Sequence, residues 1–342
     1  MNPNLDSLED FNTLDGEAYK SISILFPICL TGDTSPSTIL VADGGLKLVD
    51  SESEKSAFAL FNSYFDHYVS PLKQYRLVVF NQFASPRKES GGFELIDRAR
   101  TLGVAISILT GRVCFEAANF YYNDAANPPI YYKPFVHDEL SFKDAMYYRT
   151  PATVSLPSDF DALRLIYSNL TSLNIWRDDS PFSRLRNAIR FYTYFNDNEW
   201  VLQKIAFAFA ILEGIFSDSN TDITEKIAVR TAYFLCPDEV NKRHEMYGLL
   251  KIAYDCRSKF VHGSEVKVAD LEGKLRKLKQ NDKYSLYFDL PNELRDITSQ
   301  ALRKILTDPT SYDLFSNNQN LSNEQRKKDE TNFYNQLVLG RM

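Results

Sequence analysis

Cysteine and histidine are scarce in this chain, and neither is grouped as metal ligands are. The four cysteines lie far apart and form no CxxC pair: Cys29, Cys114, Cys236 and Cys256. Isolated cysteines are typical of reduced thiols in a cytoplasmic protein and argue against a zinc site. His67 and His137 also lack partners at ligand spacing. We therefore expect a cytoplasmic protein with no metal ion and no cofactor.

Long apolar runs and phosphate-binding glycine motifs are absent as well. No stretch of about 18 apolar residues is free of charge, so we expect no membrane span. The first ten residues are polar and acidic, unlike a signal peptide. The glycine pairs Gly44–Gly45 and Gly91–Gly92 fit neither a Walker motif nor a dinucleotide fingerprint, and they predict turns. Together these absences favour a soluble globular protein.

Positive charge is not in excess, since the formal net charge is −6. Residues 1–200 carry 18 Lys and Arg against 25 Asp and Glu, whereas residues 201–342 carry 21 against 20. The acidity therefore belongs to the front of the chain. Nucleic-acid-binding domains commonly carry a basic patch, so any contact with RNA is expected from a local basic face in the second part.

Two hydrophobic patterns divide the chain and predict an α+β fold. Before residue 150, short apolar runs predict strands at 21–30, 38–49, 75–83, 104–109, 130–136 and 145–149, with helices at 52–69 and 93–102. From Pro157 onward the periodicity is helical. We predict an N-terminal mixed α/β domain over 1–152, an all-helical domain over 153–315 and, over 316–342, a loose C-terminal tail with one short helix.

Two segments predict the centre of the helical domain. Trp200–Phe216 is apolar nearly all round, which predicts a buried helix whose last charge is Glu213. Thr221–Leu235 predicts the next helix, with a capping box at its start and Arg230 in its middle. A carboxylate in a dry core needs a partner. Glu213 is expected either to form a structural ion pair with Arg230 or Arg257, or to orient Arg257 for function.

The segment 249–263 predicts an amphipathic helix that carries Arg257 and His262 and ends at Gly263. Five residues turn an ideal helix through about 500°, so the two side chains point about 140° apart. Either the helix breaks between them, or two copies of the chain meet and each site takes residues from both. In the structural alternative, Arg257 pairs with Glu213 and His262 caps the helix.

This order of helices resembles the HEPN superfamily, most closely its Apea-like branch. The matching residues are LEGIF around Glu213, Ile-Ala-x-Arg-x-Ala around Arg230, and Tyr254-x-x-Arg-Ser-x-x-x-His-Gly. The resemblance covers residues 200–310. It implies a metal-independent ribonuclease of the toxin or antiviral phage-defence type, whose Arg and His act at a homodimer interface.

The resemblance also gives roles to the candidate residues. The catalytic residues are Arg257 and His262: an RNA 2′-hydroxyl attacks the adjacent phosphate, His262 moves the proton and Arg257 holds the developing charge. Glu213 supports Arg257. Ser258 either contacts phosphate beside Arg257 or is a solvated serine on the helix surface.

A basic face and a second function complete the predictions. The basic side chains of the following helix either bind the RNA backbone or form a solvated face: Lys274, Arg276, Lys277 and Lys279. The alternative function is a non-catalytic HEPN module that dimerises or docks partners, with the N-terminal domain as sensor. In either case we expect a protein or ligand trigger at the N-terminal domain.

Overall fold

The structure is a computed structural model of the 342-residue chain. It describes residues 19–26, 28–32, 39–40, 47–50, 78–84, 91–122, 131–134, 152–156, 158–177, 183–198, 200–217, 222–316 and 323–339. The chain forms two compact units, Met1–Ser172 and Leu173–Met342. Among the described residues, no helix is both long and apolar enough to cross a membrane.

The described strands of the first unit pair into two sheets. They are β1 (Tyr19–Phe26), β2 (Ile28–Gly32), β3 (Ile39–Leu40), β4 (Lys47–Asp50), β5 (Val78–Ala84), β6 (Phe115–Tyr122), β7 (Tyr131–Pro134) and β8 (Ala152–Leu156). The larger sheet is antiparallel in the order β3-β4-β5-β1-β6-β7. β2 pairs with β8 in parallel. Strands β1 to β5 and β7 overlap segments predicted as strands, whereas β6 and β8 are not predicted.

One helix, α1 (Gly91–Thr110), occupies the place of the predicted helix 93–102 and the predicted strand 104–109. Ala105, Ile106 and Ile108 are at most 1% exposed. A segment buried on every side has no polar face, so its sequence shows no helical period, and its β-branched residues favour a strand. The predicted strand is therefore wrong because periodicity cannot tell a buried helix from a buried strand.

The described residues between 152 and 172 belong to the first unit. β8 pairs with β2, and the following helix, α2 (Phe160–Ser172), packs on α1. The division between the units therefore lies after Ser172, later in the chain than the predicted boundary at 152. The helix predicted at 52–69 and the strand predicted at 145–149 lie outside the described residues.

All regular structure described from residue 183 onward is helical, which confirms the predicted all-helical C-terminal part. The helices are α3 (Arg184–Asp197), α4 (Val201–Phe216), α5 (Ile223–Leu235), α6 (Val240–Val261), α7 (Val268–Lys279), α8 (Asp289–Thr307), α9 (Pro309–Ser316) and α10 (Asn323–Val338). α4 packs against α3, α5, α6 and α8. Its buried residues, among them Phe209 and Phe216, each contribute roughly 1.5–3 kcal/mol to folding, so α4 is the central helix that the sequence predicts.

The C-terminal segment 316–342 is not a loose tail over the described residues. α10 spans Asn323–Val338 and buries one aromatic and aliphatic face, including Phe333, Tyr334 and Leu337. The polar residues that suggested a tail occupy the other positions of the helix, so the average composition concealed a narrow apolar face. The one short helix predicted within this tail is therefore a helix of 16 residues that packs through one face.

The start of α5 also differs from its prediction. Asp222 lies at the N-cap with a left-handed φ of 53°, and its side chain makes no capping hydrogen bond. Glu225, the predicted partner in the capping box, instead accepts hydrogen bonds from Tyr247 and Lys251 of α6. The capping box is wrong because these contacts with another helix take the glutamate away from the helix start.

Candidate functional site

An ion pair joins the central helix α4 to α6. The Nη2 atom of Arg257 lies 3.2 Å from Oε1 and 3.4 Å from Oε2 of Glu213. The side chains are only 20% and 26% exposed, respectively. Burial raises the pKa of Glu213, and the opposing effect of the Arg257 charge is smaller. Of the alternatives that the sequence leaves open, the structure pairs Glu213 with Arg257.

The guanidinium of Arg257 contacts Glu213 through only one of its nitrogens, and its other N–H donors are not used in this contact. Its Nε is buried and has no hydrogen-bond partner among the described residues. The guanidinium lies 5.4 Å from the ring centroid of Tyr254, and that ring meets Phe209 edge-on at 5.1 Å. Contacts with a carboxylate and a ring therefore fix the position of the group, while part of its hydrogen-bonding capacity is unused.

A Schellman motif ends α6 immediately before the candidate histidine. The N–H of Ser264 donates to the carbonyl of Lys259 at 2.8 Å, and the N–H of Gly263 donates to that of Phe260 at 3.2 Å. Gly263 has a φ of +69°, which glycine adopts without strain. His262 is the C-cap, and its backbone N–H donates to Ser258 at 3.1 Å. The predicted helix end at Gly263 is confirmed.

The imidazole of His262 is exposed and makes no hydrogen bond or ion pair with any residue that the structure describes. α6 stays helical through Val261, so it does not break between Arg257 and His262. The two side chains keep the divergence of about 140° that helical geometry imposes, and no contact between them occurs in the described part of the chain. One copy of the chain therefore does not bring the two candidate catalytic groups together.

The C-terminal end of α4, which carries Glu213, is capped by side chains from three other helices. Arg230 of α5 donates to the carbonyl of Phe216 at 2.7 Å and lies 3.9 Å from the ring centroid of Tyr334 in α10. The hydroxyl of Tyr334 donates to the carbonyl of Ile215. The last carbonyls of a helix have no partner within it, so Arg230 and Tyr334 satisfy acceptors that α4 cannot. Arg230 thus has a structural role and is not the partner of the Glu213 carboxylate.

Arg184, at the start of α3, completes this cap and was not singled out by the sequence. It donates to the carbonyls of Glu213, Gly214 and Ser217. Its remaining charge is neutralised by Glu330 of α10, 2.8 Å away and almost fully buried. Arg184 therefore fixes the backbone of the turn that carries Glu213. The arginines at 184, 186 and 190 were the only sequence signal, and nothing there separated Arg184 from the others.

The remaining predicted residues lie in two environments. The Ser258 side chain is half-buried and makes no hydrogen bond within the described structure. Arg276 donates to the carbonyl of Tyr284 and to Glu272, while Lys279 lies within 2.7 Å of Glu245 and Glu293. Two of the four residues predicted to contact RNA, Arg276 and Lys279, thus form ion pairs within the chain. The other two, Lys274 and Lys277, are exposed.

A cavity of about 340 Å³ lies elsewhere in the second unit, between the end of α5 and the C-terminal part of α10. Its two cations cap the end of α5: Lys304 donates to Phe234 at 2.6 Å, and Arg243 donates to Cys236 at 3.1 Å. None of the predicted site residues lines this cavity. Within the described residues, no group of three His, Cys, Asp or Glu side chains is arranged to hold a metal ion.

No protein-family model matches this chain, and neither a curated protein nor a solved structure matches it. The candidate site is therefore defined by its own geometry. It comprises an arginine with spare donors, the carboxylate that holds it, and an exposed histidine at the end of the same helix. Such a set of groups can bind and protonate an oxyanion such as a phosphate.

Proposed function

We propose that this chain is a HEPN-like, metal-independent endoribonuclease of the toxin or phage-defence type, active in the cytoplasm as a homodimer. The observation that supports the proposal is the arrangement at the end of α6. Arg257 keeps unused donors beside its ion pair, and His262 is exposed five residues later. A guanidinium and an imidazole are sufficient for cleavage of RNA by its own 2′-hydroxyl.

The proposed reaction is an internal transesterification. The 2′-oxygen of the ribose forms a bond to the adjacent phosphorus, and the bond from phosphorus to the 5′-oxygen of the next nucleotide breaks. His262 accepts the proton of the 2′-hydroxyl and returns it to the departing 5′-oxygen, and Arg257 stabilises the negative charge on the oxygens of the pentacoordinate phosphorus. Glu213 positions Arg257 through the contact of 3.2 Å. The products are a 2′,3′-cyclic phosphate and a 5′-hydroxyl.

A homodimer follows from the divergence of the two side chains. Because α6 is regular through Val261, Arg257 and His262 of one chain cannot converge on one phosphate. Two copies of the end of α6 that face each other would combine Arg257 of one chain with His262 of the other. An interface with twofold symmetry generates two such sites.

The first prediction is RNA cleavage in the presence of EDTA. The purified full chain is incubated with total RNA beside His262→Ala and Arg257→Lys. We expect products ending in 2′,3′-cyclic phosphate from the wild type only, since alanine removes the proton carrier and lysine lacks the planar fork of arginine. Loss of activity in EDTA that returns with added magnesium would contradict this mechanism.

A non-catalytic docking module is the second candidate function, and one observation favours it. Val261 is 51% exposed beside His262, and an apolar side chain at that place fits a protein contact. In this case the Arg257–Glu213 pair is structural and the N-terminal domain acts as sensor. The two candidates separate in the EDTA assay, because a docking module leaves RNA intact in the wild type and in both variants.

A further inference from the structure

Two adjacent aromatic side chains are exposed at the start of α8. Tyr287 is 50% exposed and Phe288 is 76% exposed. Single exposed aromatic residues are common and need no explanation, but here two consecutive residues of one short segment both expose a ring. These two residues follow the basic helix α7 directly in the chain, across a short connection.

The connection that carries the two rings is fixed on both sides. Its residues Tyr284 and Leu286 are buried, and their backbone groups bind α7: Arg276 donates to the carbonyl of Tyr284 at 3.0 Å, and the N–H of Leu286 donates to Glu272 at 3.0 Å. Asp289 accepts from the N–H of Ser285 at 2.7 Å. The rings are therefore presented on an ordered segment, which lowers the entropic cost of binding.

The exposed charge around this segment is positive. Residues 267–288 contain six Lys and Arg against three Asp and Glu. Arg276 and Lys279 are engaged by carboxylates, but Lys274, Lys277 and Lys283 are exposed and have no ion pair in the described part of the chain. Lys277 follows Arg276 and is turned by about 100° from it around the helix. Lys283 thus lies in the same connection as the rings, four residues before Tyr287, and Lys277 lies on the helix that holds this connection.

We propose that Tyr287 and Phe288, with Lys277 and Lys283, form a binding surface for single-stranded RNA. Bases stack on the two rings, and the lysines contact the phosphates. Aromatic stacking combined with a basic surface is the usual basis of single-strand binding without sequence preference. A duplex keeps its base faces stacked internally, so the rings contribute nothing to its binding. The identity of the ligand rests on the proposed ribonuclease function, whereas the surface itself is separate from Arg257 and His262.

The second prediction tests this surface by binding alone. All measurements use the full chain with His262→Ala, so that no RNA is cleaved, and follow the fluorescence anisotropy of a labelled single-stranded oligouridylate. We expect Tyr287→Ala and Phe288→Ala each to raise Kd about fivefold or more. Removing Lys277 or Lys283 lowers the slope of log K against log salt by about 0.7 each. The same aromatic variants bind a blunt RNA duplex unchanged.

Trp200→Ala is the matched control, since Trp200 is 75% exposed but lies at the start of α4. A melting curve checks the fold of each variant. No binding by the parent protein, or equal weakening by Trp200→Ala, overturns the proposed surface. Cleavage by wild type with unaffected binding in the Tyr287 and Phe288 variants refutes this inference and leaves the ribonuclease. Ring-dependent binding without cleavage by wild type refutes the ribonuclease and leaves the surface.

Discussion

At the scale of single residues, both the structure and the proposed function depend on the half-buried ion pair of Glu213 and Arg257. Burial raises the pKa of Glu213 despite the neighbouring cation. A carboxyl group whose pKa is higher in the folded than in the unfolded chain stabilises the folded state, and this contribution is fully present at pH values below the unfolded pKa. That contribution is lost as the pH rises through the folded pKa. At neutral pH the ionised Glu213 therefore depends on Arg257 to offset the cost of burial.

The third prediction is that Arg257→Ala destabilises the fold in a pH-dependent way. At neutral pH the variant leaves an ionised carboxylate without its cation, and we expect a loss of about 1–3 kcal/mol, reduced from the fully buried case because both groups are partly exposed. The loss shrinks at mildly acidic pH, where Glu213 becomes protonated. Urea unfolding at both pH values measures the difference.

Lys259→Ala is the control for this measurement. Lys259 pairs with Asp255 on the same helix at 3.0 Å, but both side chains are about 40% exposed. An exposed pair of this kind contributes roughly 0.3–0.5 kcal/mol, so its removal has a small effect. A loss in Arg257→Ala that is equal at neutral and acidic pH would mean that the arginine acts by packing against Tyr254 and not by its charge.

The sequence predicted part of the site at this scale. A buried helix with one carboxylate requires a cation, and this requirement gave two candidates, of which Arg257 is correct. The choice between Arg230 and Arg257 depends on how α5 and α6 rotate against α4, which one sequence does not contain. Arg184 could not be predicted because its partners are backbone carbonyls of α4, and these have no sequence signature.

At the scale of elements, α10 acts as a strap across the end of α4. Glu330 neutralises Arg184, and Tyr334 both stacks under Arg230 and donates to Ile215. The five carbonyls from Glu213 to Ser217, at the end of α4, depend directly or indirectly on these contacts. α10 thereby fixes the helix turn that carries Glu213.

The fourth prediction follows from this strap. Tyr334→Phe leaves the carbonyl of Ile215 without a donor and costs about 1–2 kcal/mol. Glu330→Ala leaves the Arg184 charge with carbonyl partners only and costs about 2 kcal/mol, less than a fully uncompensated buried charge. Lys328→Ala, exposed on the same helix, changes stability by less than about 0.5 kcal/mol. Denaturant unfolding measures the loss of unfolding free energy in the three variants. Equal losses in all of them would contradict a stabilising role of α10 at the end of α4.

Elements with one polar face were predicted well, and the two errors have a common cause. α8 alternates buried apolar and exposed polar positions over Asp289–Thr307, so its helical period is visible in the sequence. α1 has no polar face over its buried part, and α10 has only a narrow apolar face, so neither presents the pattern of an ordinary amphipathic helix. In both cases tertiary packing supplies the information that local periodicity lacks.

At the scale of the whole molecule, charge and geometry both place the proposed chemistry in the second half of the chain. Residues 201–342 are close to neutral, with 21 basic and 20 acidic residues. In the proposed function, contact with RNA depends on local surfaces, and catalysis depends on a second copy of the chain. Both requirements are properties of the assembly and cannot be met by α6 alone.

The fifth prediction is complementation between two inactive variants. If each site combines Arg257 of one chain with His262 of the other, a heterodimer of Arg257→Ala and His262→Ala contains one intact site. Random mixing of equal amounts makes half of the dimers heterodimers, so the mixture recovers about a quarter of the wild-type cleavage. The measurement is RNA cleavage in EDTA after the two variants are mixed, with each variant alone as a control. Sedimentation must show a dimer at the same concentration. If the mixed variants form a dimer but recover no cleavage, Arg257 and His262 of different chains do not share a site. A wild-type monomer that is fully active would exclude the shared site as well.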